Sequence, residues 1–146
     1  MRKRDFGSIE VDVLTLDDFV TKENITKVDF IRMDVEAYET NIIKGMKETV
    51  KLMPVGALLC IEMHSKVFCP PEYQPPKGTF AFNIAKAPVL LAMLATINKY
   101  GFIPKKYCLK HHKVIDVNNM PDLLKLLAEG HCPQVFFEMK KDWSKA

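Results

Sequence analysis

Two apolar runs with a helical pattern between them constrain the fold of this chain more than any other feature. The runs are Val28–Met33 and Ala57–His64, and apolar side chains recur at helical spacing between them, from Tyr38 to Val50. Short apolar runs are typical of interior strands of a parallel sheet, and an amphipathic segment between two of them is typical of a crossover helix. We therefore predict a β-α-β unit with parallel strands and a right-handed crossover.

Further elements flank this unit on both sides. Residues Ser8–Leu14 alternate apolar and polar side chains, which predicts a half-buried strand, and Thr15 caps a short helix that runs to about Lys22. In the second half we predict a helix from Pro88 to Gly101, strands at Phe102–Leu109 and Lys113–Val117, a helix from Asn119 to Gly130 and a last strand at Gln134–Lys140. This order predicts one α/β domain over residues 1–146, with a mostly parallel sheet and mixed strands at its carboxyl-terminal edge.

Composition excludes several classes of protein. The 146 residues suit one domain, and 21 basic against 18 acidic residues give a net charge of +3, too small an excess to indicate a nucleic-acid partner. No apolar run approaches the roughly 18 residues of a membrane span, and the basic start lacks the apolar stretch of a signal peptide. The four cysteines form no CxxC pair, so we expect reduced thiols in a cytoplasmic protein without membrane contact.

The glycines exclude a particular kind of ligand site. All six are isolated, and no GxG, GxGxxG or GxxxxGK occurs. The chain therefore carries no glycine loop of the type that cradles phosphates or dinucleotides.

Polar side chains follow both strands of the β-α-β unit where each strand ends. Asp34 and Glu36 end the first strand, and Glu62 and His64 end the second. Residues two apart on a strand point to the same face, so the three carboxylates and the imidazole are expected in one crevice at the carboxyl edge of the sheet. Such a set suits a divalent cation or a general base beside a substrate hydroxyl. The plainer interpretation is that these residues mark where solvent begins.

Two other regions allow more than one interpretation. Residues 65–85 contain four prolines and the aromatic residues Tyr73, Phe80 and Phe82, which fits either a substrate lid or a disordered insert. Cysteine and histidine residues allow a zinc site, with Cys108-x-x-His111 at suitable spacing, but the histidines lie in a basic run that fits a solvated surface and no second close pair exists. We therefore predict no metal centre.

Four ordered segments resemble the FkbM-type S-adenosylmethionine-dependent methyltransferases. The resemblance covers Thr15 to His64 and rests on these phrases: Thr15-Leu16-Asp17-Asp18-Phe19, Asp29-Phe30-Ile31-Arg32-Met33-Asp34-Val35-Glu36-Ala37-Tyr38-Glu39, Ile42-Ile43-Lys44-Gly45-Met46 and Leu58-Leu59-Cys60-Ile61-Glu62-Met63-His64. It implies a Rossmann-like sheet in which the strand ending at Asp34 is the fourth and the strand ending at His64 is the fifth. It also implies S-adenosylmethionine as cofactor and methyl transfer to an oxygen of a small molecule or glycan.

The resemblance also implies roles for individual residues. Asp34, Glu36 and His64 would be catalytic, Asp34 and Ala37 would contact the cofactor, and substrate would be bound by Glu62, Tyr73 and Phe80. Ala37 departs from the family pattern, which has glycine there, and this change costs about 1 kcal/mol if the position needs a positive φ.

The resemblance further implies that the glycine-bearing first strand lies before residue 1. We therefore expect this chain to be the carboxyl-terminal, substrate-side half of a methyltransferase domain. The alternative is a non-catalytic α/β module, or an inactive methyltransferase fragment, that binds a partner. An exposed sheet edge would allow such a chain to form a homo-oligomer.

Overall fold

A five-stranded sheet organises the parts of the chain that the computed structural model describes, which are residues 10–35, 38–63, 88–108, 114–128 and 134–145. The strands, in chain order, are β1 (Phe30–Met33), β2 (Leu58–Glu62), β3 (Phe102–Cys108), β4 (Val114–Asp116) and β5 (Gln134–Met139). Their spatial order is β1-β2-β5-β3-β4. The last strand in the chain therefore lies in the middle of the sheet.

The sheet is mixed, and the prediction of a mostly parallel sheet is wrong. β1 and β2 are parallel, as predicted, with Arg32 beside Cys60 and Met33 beside Ile61. The other three neighbouring pairs, β2 with β5, β5 with β3, and β3 with β4, are antiparallel. β5 enters between β2 and β3 and runs against both, so it removes the parallel pairing that those two strands would otherwise make with each other.

Four α-helices occur in the described residues. They are α1 (Leu16–Lys22), α2 (Glu39–Lys44), α3 (Pro88–Lys99) and α4 (Met120–Ala128), and 3₁₀ turns occupy Thr49–Leu52 and Trp143–Lys145. The caps agree with the sequence, because the Thr15 hydroxyl accepts a hydrogen bond from the Asp18 amide at 3.0 Å and the Asn119 side chain accepts one from the Asp122 amide at 2.8 Å. No helix in these ranges is long and apolar enough to cross a bilayer.

The helix predicted from Tyr38 to Val50 is wrong in its second half. α2 ends at Lys44, and Gly45 closes it by donating to the Asn41 and Ile42 carbonyls. A Cβ at Gly45 would lie 3.2 Å from the Thr15 Cβ, which shows how closely the start of α1 approaches this point. The Asp17 carboxylate then binds the start of the following 3₁₀ turn, so a contact distant in sequence overrides the helical pattern.

The amino-terminal strand predicted at Ser8–Leu14 is also wrong for its described part. Residues 10–14 form no strand, and Val11 and Val13 are largely exposed. An alternating pattern forms a strand only where a neighbouring strand supplies hydrogen-bond partners, and here the segment pairs with none of the described strands.

The core lies on one face of the sheet. Alternate strand residues, such as Met33, Ile61 and Phe137, are buried there beneath α3 and α4, whose buried residues include Leu90 and Leu123. The intervening residues point to the opposite face of the sheet. On that face lie Arg32, Cys60, Glu62, Gln134 and Glu138. The structure therefore separates an apolar, helix-covered face from a face with most of the sheet's polar chemistry.

Candidate functional site

Two carboxylates lie side by side at the carboxyl ends of the parallel strands. Met33 pairs with Ile61, so the next residues, Asp34 and Glu62, are neighbours across β1 and β2. Their side chains are 33% and 20% exposed, respectively, which leaves both reachable from solvent. In open α/β sheets, ligands bind outside the carboxyl ends of the strands, which is where these two carboxylates lie.

Arg32 joins the two carboxylates. Its Nη2 atom donates to Asp34 Oδ2 at 3.0 Å and lies 3.8 Å from Glu62 Oε2, an ion-pair distance. Gln134 Nε2 on β5 donates to the same Glu62 oxygen at 3.4 Å. We call Arg32, Asp34, Glu62 and Gln134 the strand-end cluster. It places two partly exposed carboxylates, one guanidinium and one amide within reach of each other.

Cys60 lies beneath this cluster, and its thiol is a poor nucleophile at neutral pH. Burial raises the pKa of its thiol to about 11, and the opposing influence of the Arg32 guanidinium is smaller. A thiol with that pKa is almost entirely protonated at neutral pH, and the thiolate is the nucleophilic form. Cys60 and Cys108, the two cysteines in the described residues, are free thiols.

A third carboxylate, Glu39, is buried just beyond the end of β1. It is the first residue of α2, is 0% exposed, and its Oε1 atom accepts a hydrogen bond from the Val35 amide at 3.4 Å. Its other oxygen, Oε2, accepts no hydrogen bond from the residues that the structure describes. A buried carboxylate oxygen without a partner is costly, so this position calls for a donor that the described residues do not supply.

A cavity of about 480 Å³ lies on the other side of β1, along the strand edge that faces away from β2. We call it the β1 groove. Its lining comes from the segment before α1, from α1, β1 and α2, and includes Val13, Phe19, Ile31, Met33, Tyr38 and Ile42. The lining is mainly apolar and contains neither Asp34 nor Glu62, but it includes Arg32, so the groove meets the strand-end cluster at that residue.

The structure describes two of the residues predicted for the site and brings them together. Asp34 and Glu62 are neighbours, as their positions at the ends of parallel strands predicted. The other predicted site residues lie outside the described residues. They are Glu36, Ala37, His64, Tyr73 and Phe80. Of the residues considered for zinc, the structure describes Cys108, and the described ranges contain no cluster of metal-ligating side chains.

Arg32, Gln134 and Glu39 were not predicted as site residues. Arg32 had a usable signal, because it lies two residues before Asp34 and therefore on the same strand face. Gln134 had none, because only the tertiary pairing of β5 with β2 brings it to Glu62. In the sequence, Glu39 is an acidic residue in the first turn of a helix. Such a side chain is ordinarily exposed, and its charge interacts favourably with the helix dipole.

One comparison with known proteins found a match. Residues 1–104 match the family described as the methyltransferase FkbM domain, and this range includes β1, β2 and the strand-end carboxylates. No curated protein matches the chain.

Proposed function

The chain belongs to the FkbM methyltransferase domain family, which indicates methyltransferase function, and we propose that it takes part in methyl transfer from S-adenosylmethionine to an oxygen of a small molecule or glycan. The observation that carries this proposal is the strand-end cluster, in which Arg32 holds Asp34 and Glu62 together at the edge of two parallel strands. The agreement between this position and the expected position of the methyltransferase site supports it.

The charge of the donor is complementary to that of the described carboxylates. S-adenosylmethionine supplies an electrophilic methyl group bound to a positively charged sulfonium. Asp34 and Glu62 provide partly exposed carboxylate oxygens on either side of the Arg32 guanidinium. Carboxylates near a cationic ligand stabilise it by Coulombic attraction, which is stronger at a partly buried edge than in bulk water.

The described residues also suit the acceptor. A hydroxyl that gains a methyl group must lose its proton, and a carboxylate within hydrogen-bond reach accepts that proton as general base. Asp34 is the described residue that we assign to this role, with Glu62 orienting the acceptor through its second oxygen. Glu36, Ala37, His64, Tyr73 and Phe80 keep the catalytic, cofactor-binding and substrate-binding roles that the family resemblance implies.

We further propose that this chain supplies the substrate-side half of a methyltransferase domain of Rossmann-like architecture, with β1 and β2 as its fourth and fifth strands. Two observations support this. β1 and β2 are parallel neighbours, and the other edge of β1 has no partner strand in the described residues. The isolated glycines offer no loop for the methionine end of the donor, so the proposed half would share that task with another segment.

Titration of S-adenosylmethionine into the purified chain, followed by calorimetry, tests donor binding. We expect heat of binding and an affinity about tenfold lower for Asp34→Asn, since a lost charge at a partly exposed site is worth on the order of 1 kcal/mol. Asp116→Asn is the matched control, because Asp116 is an exposed carboxylate on β4 at the opposite edge of the sheet. Its affinity should equal that of the unmodified chain.

A second measurement tests the transfer itself. Donor with an isotopically labelled methyl group is incubated with the chain and a panel of hydroxylated small molecules and glycans, and products are read by mass spectrometry. Retained turnover with Asp34→Asn would remove Asp34 as the base. Absence of both binding heat and labelled product would favour the second candidate function, a partner-binding module, for which the exposed β1 groove is the supporting observation.

A further inference from the structure

Glu39 is a fully buried carboxylate close to the end of β1, and it does not belong to the strand-end cluster. It lies five residues after Asp34 in the chain, and its side chain is 0% exposed. Glutamate is almost never fully buried unless it is paired, and Glu39 Oε2 accepts no hydrogen bond from the described residues. Within the described part of the chain, packing alone gives no reason for a carboxylate at this position.

The contact that Glu39 does make restrains the turn after β1. Its Oε1 atom accepts a hydrogen bond from the Val35 amide at 3.4 Å. The Val35 carbonyl accepts one from the Tyr38 amide at 3.3 Å. Both backbone groups of Val35 are thereby joined to the start of α2. Because Val35 follows Asp34 directly, these bonds restrict the backbone from which the Asp34 side chain projects.

The other contact of Asp34 is a weaker restraint. Arg32 Nη2 donates to Asp34 Oδ2 at 3.0 Å, but the Arg32 side chain is 50% exposed. An exposed ion pair is weak, because solvent screens it and a long side chain must be held in one position. Glu39, in contrast, is buried on a helix that packs against α3. A functional group is held in a precise geometry by neighbours that packing has fixed.

We propose that Glu39 is a positioning residue: its carboxylate holds the turn after β1 and thereby orients the Asp34 carboxylate. This inference rests on the proposed function, in which Asp34 is the general base and lies near the donor. A reacting group that is displaced by about 1 Å loses much of its effect on the reaction, roughly 100-fold in some enzymes. The buried carboxylate thus has a role that packing does not supply.

Two variants separate this role from side-chain packing. Glu39→Gln keeps an acceptor oxygen for the Val35 amide, whereas Glu39→Leu fills a similar volume without an acceptor. In Glu39→Leu the lost hydrogen bond and the removed unpaired oxygen have opposite effects on stability, so the melting temperature should change by less than about 4 °C. The fold therefore remains intact for the measurements that follow.

Nuclear magnetic resonance measures the positioning without donor. In Glu39→Leu the Val35 amide should exchange with solvent about tenfold faster than in the unmodified chain, and the carboxyl carbon resonance of Asp34 should shift. In Glu39→Gln both should stay as they are in the unmodified chain. Glu138→Leu is the matched control, because it removes a 15% exposed carboxylate beside Leu58, at the amino end of β2. It should alter neither readout.

Titration with S-adenosylmethionine measures the consequence for the donor. Glu39→Leu should bind it about tenfold more weakly than the unmodified chain, and Glu39→Gln should stay within about threefold. When Asp34→Asn is already present, Glu39→Leu should cause less than about threefold further loss, because Glu39 acts through Asp34. A merely structural role would not make the effect of Glu39→Leu depend on Asp34.

Three outcomes would overturn the proposal. The first is unchanged Val35 exchange and an unchanged Asp34 resonance in Glu39→Leu. The second is an equal loss of donor affinity in Glu39→Gln and Glu39→Leu, which would assign the effect to the ionisable group and not to the acceptor oxygen. The third is the full tenfold loss when Asp34→Asn is present. Absence of binding heat in the unmodified chain, together with the expected resonance changes, would instead refute the proposed function.

Discussion

Replacing Asp17 with alanine should destabilise the fold far more than replacing its neighbour Asp18. The Asp17 Oδ1 atom accepts hydrogen bonds from the Thr49 amide and Thr49 hydroxyl, each at 2.7 Å, and from the Glu48 amide at 3.0 Å. These bonds join the first turn of α1 to the 3₁₀ turn that follows α2. Thr49 is only 1% exposed, so water cannot replace the lost acceptor at its two donors.

The magnitude follows from those two buried donors. A buried donor left without its partner costs about 1–3 kcal/mol, and the Glu48 amide is exposed and recovers a water. Asp17→Ala should therefore lower the free energy of unfolding by about 3 kcal/mol, and the melting temperature by roughly 9 °C for a domain of this size. The Asp18 carboxylate accepts a hydrogen bond from the Thr15 hydroxyl at 2.7 Å, and this contact is exposed, so Asp18→Ala should lower the free energy of unfolding by about 0.5 kcal/mol.

Urea unfolding followed by circular dichroism measures both variants under identical conditions. The double variant Asp17→Ala with Thr49→Val should lose about 1 kcal/mol less than the sum of the two single losses, because it no longer contains an unpaired hydroxyl. An Asp17→Ala loss no larger than that of Asp18→Ala would refute the reasoning. So would strict additivity of Asp17→Ala and Thr49→Val.

The same contact predicts a pH dependence. Burial raises the pKa of Asp17, but the hydrogen bonds from the Thr49 hydroxyl and from the amides of Glu48, Thr49 and Lys47 together outweigh burial and hold it below its ordinary 3.8. A lowered native pKa means that this stabilisation is complete above pH 3.8 and is lost as the pH falls through the native value. The stability gap between the unmodified chain and Asp17→Asn should therefore narrow below about pH 4; an unchanged gap would contradict the assignment.

Two further predictions concern a pair of glycines and a buried thiol. Gly101→Ala should lower the free energy of unfolding by about 2–3 kcal/mol, because Gly101 has φ +95° and a Cβ there would lie 2.3 Å from the Lys141 Cβ. Gly56→Ala at φ +89° meets no atom within 4 Å and should cost only about 1 kcal/mol; equal losses in thermal unfolding would count against the close contact. Cys60 should resist alkylation by iodoacetamide at pH 8 until the chain is unfolded, because burial raises the pKa of its thiol to about 11. Peptide mass mapping reads this out, and rapid modification of native Cys60 would show that the thiol is open to solvent.

The confirmed predictions depend on local features of the sequence. The cap at Thr15, the helix end before Gly101 and the parallel pair β1 and β2 are all as predicted. Each depends on residues close together in the chain, or on a crossover short enough to fix the strand direction. The neighbouring positions of Asp34 and Glu62 followed from the same crossover.

The failures share a different cause. The helical pattern from Tyr38 to Val50 is interrupted because Asp17 binds the chain beyond Gly45. Residues 10–14, the described part of the alternating segment, form no strand because no described strand pairs with them. Gln134 joined the strand-end cluster only through the pairing of β5 with β2. Each of these depends on a contact with a distant part of the chain, for which the local sequence carries no signal.

The sequence alone determined the β-α-β unit, the family and the carboxylates at the ends of two strands. It could do so because apolar periodicity and motif order are properties of residues close together in the chain. Tertiary structure alone decided that β5 lies inside the sheet, that Arg32 bridges Asp34 and Glu62, and that β1 has β2 as its one neighbour among the described strands. The physical reason is that backbone hydrogen bonds are the same for every strand, so the choice of neighbours depends on how all side-chain faces pack together at once.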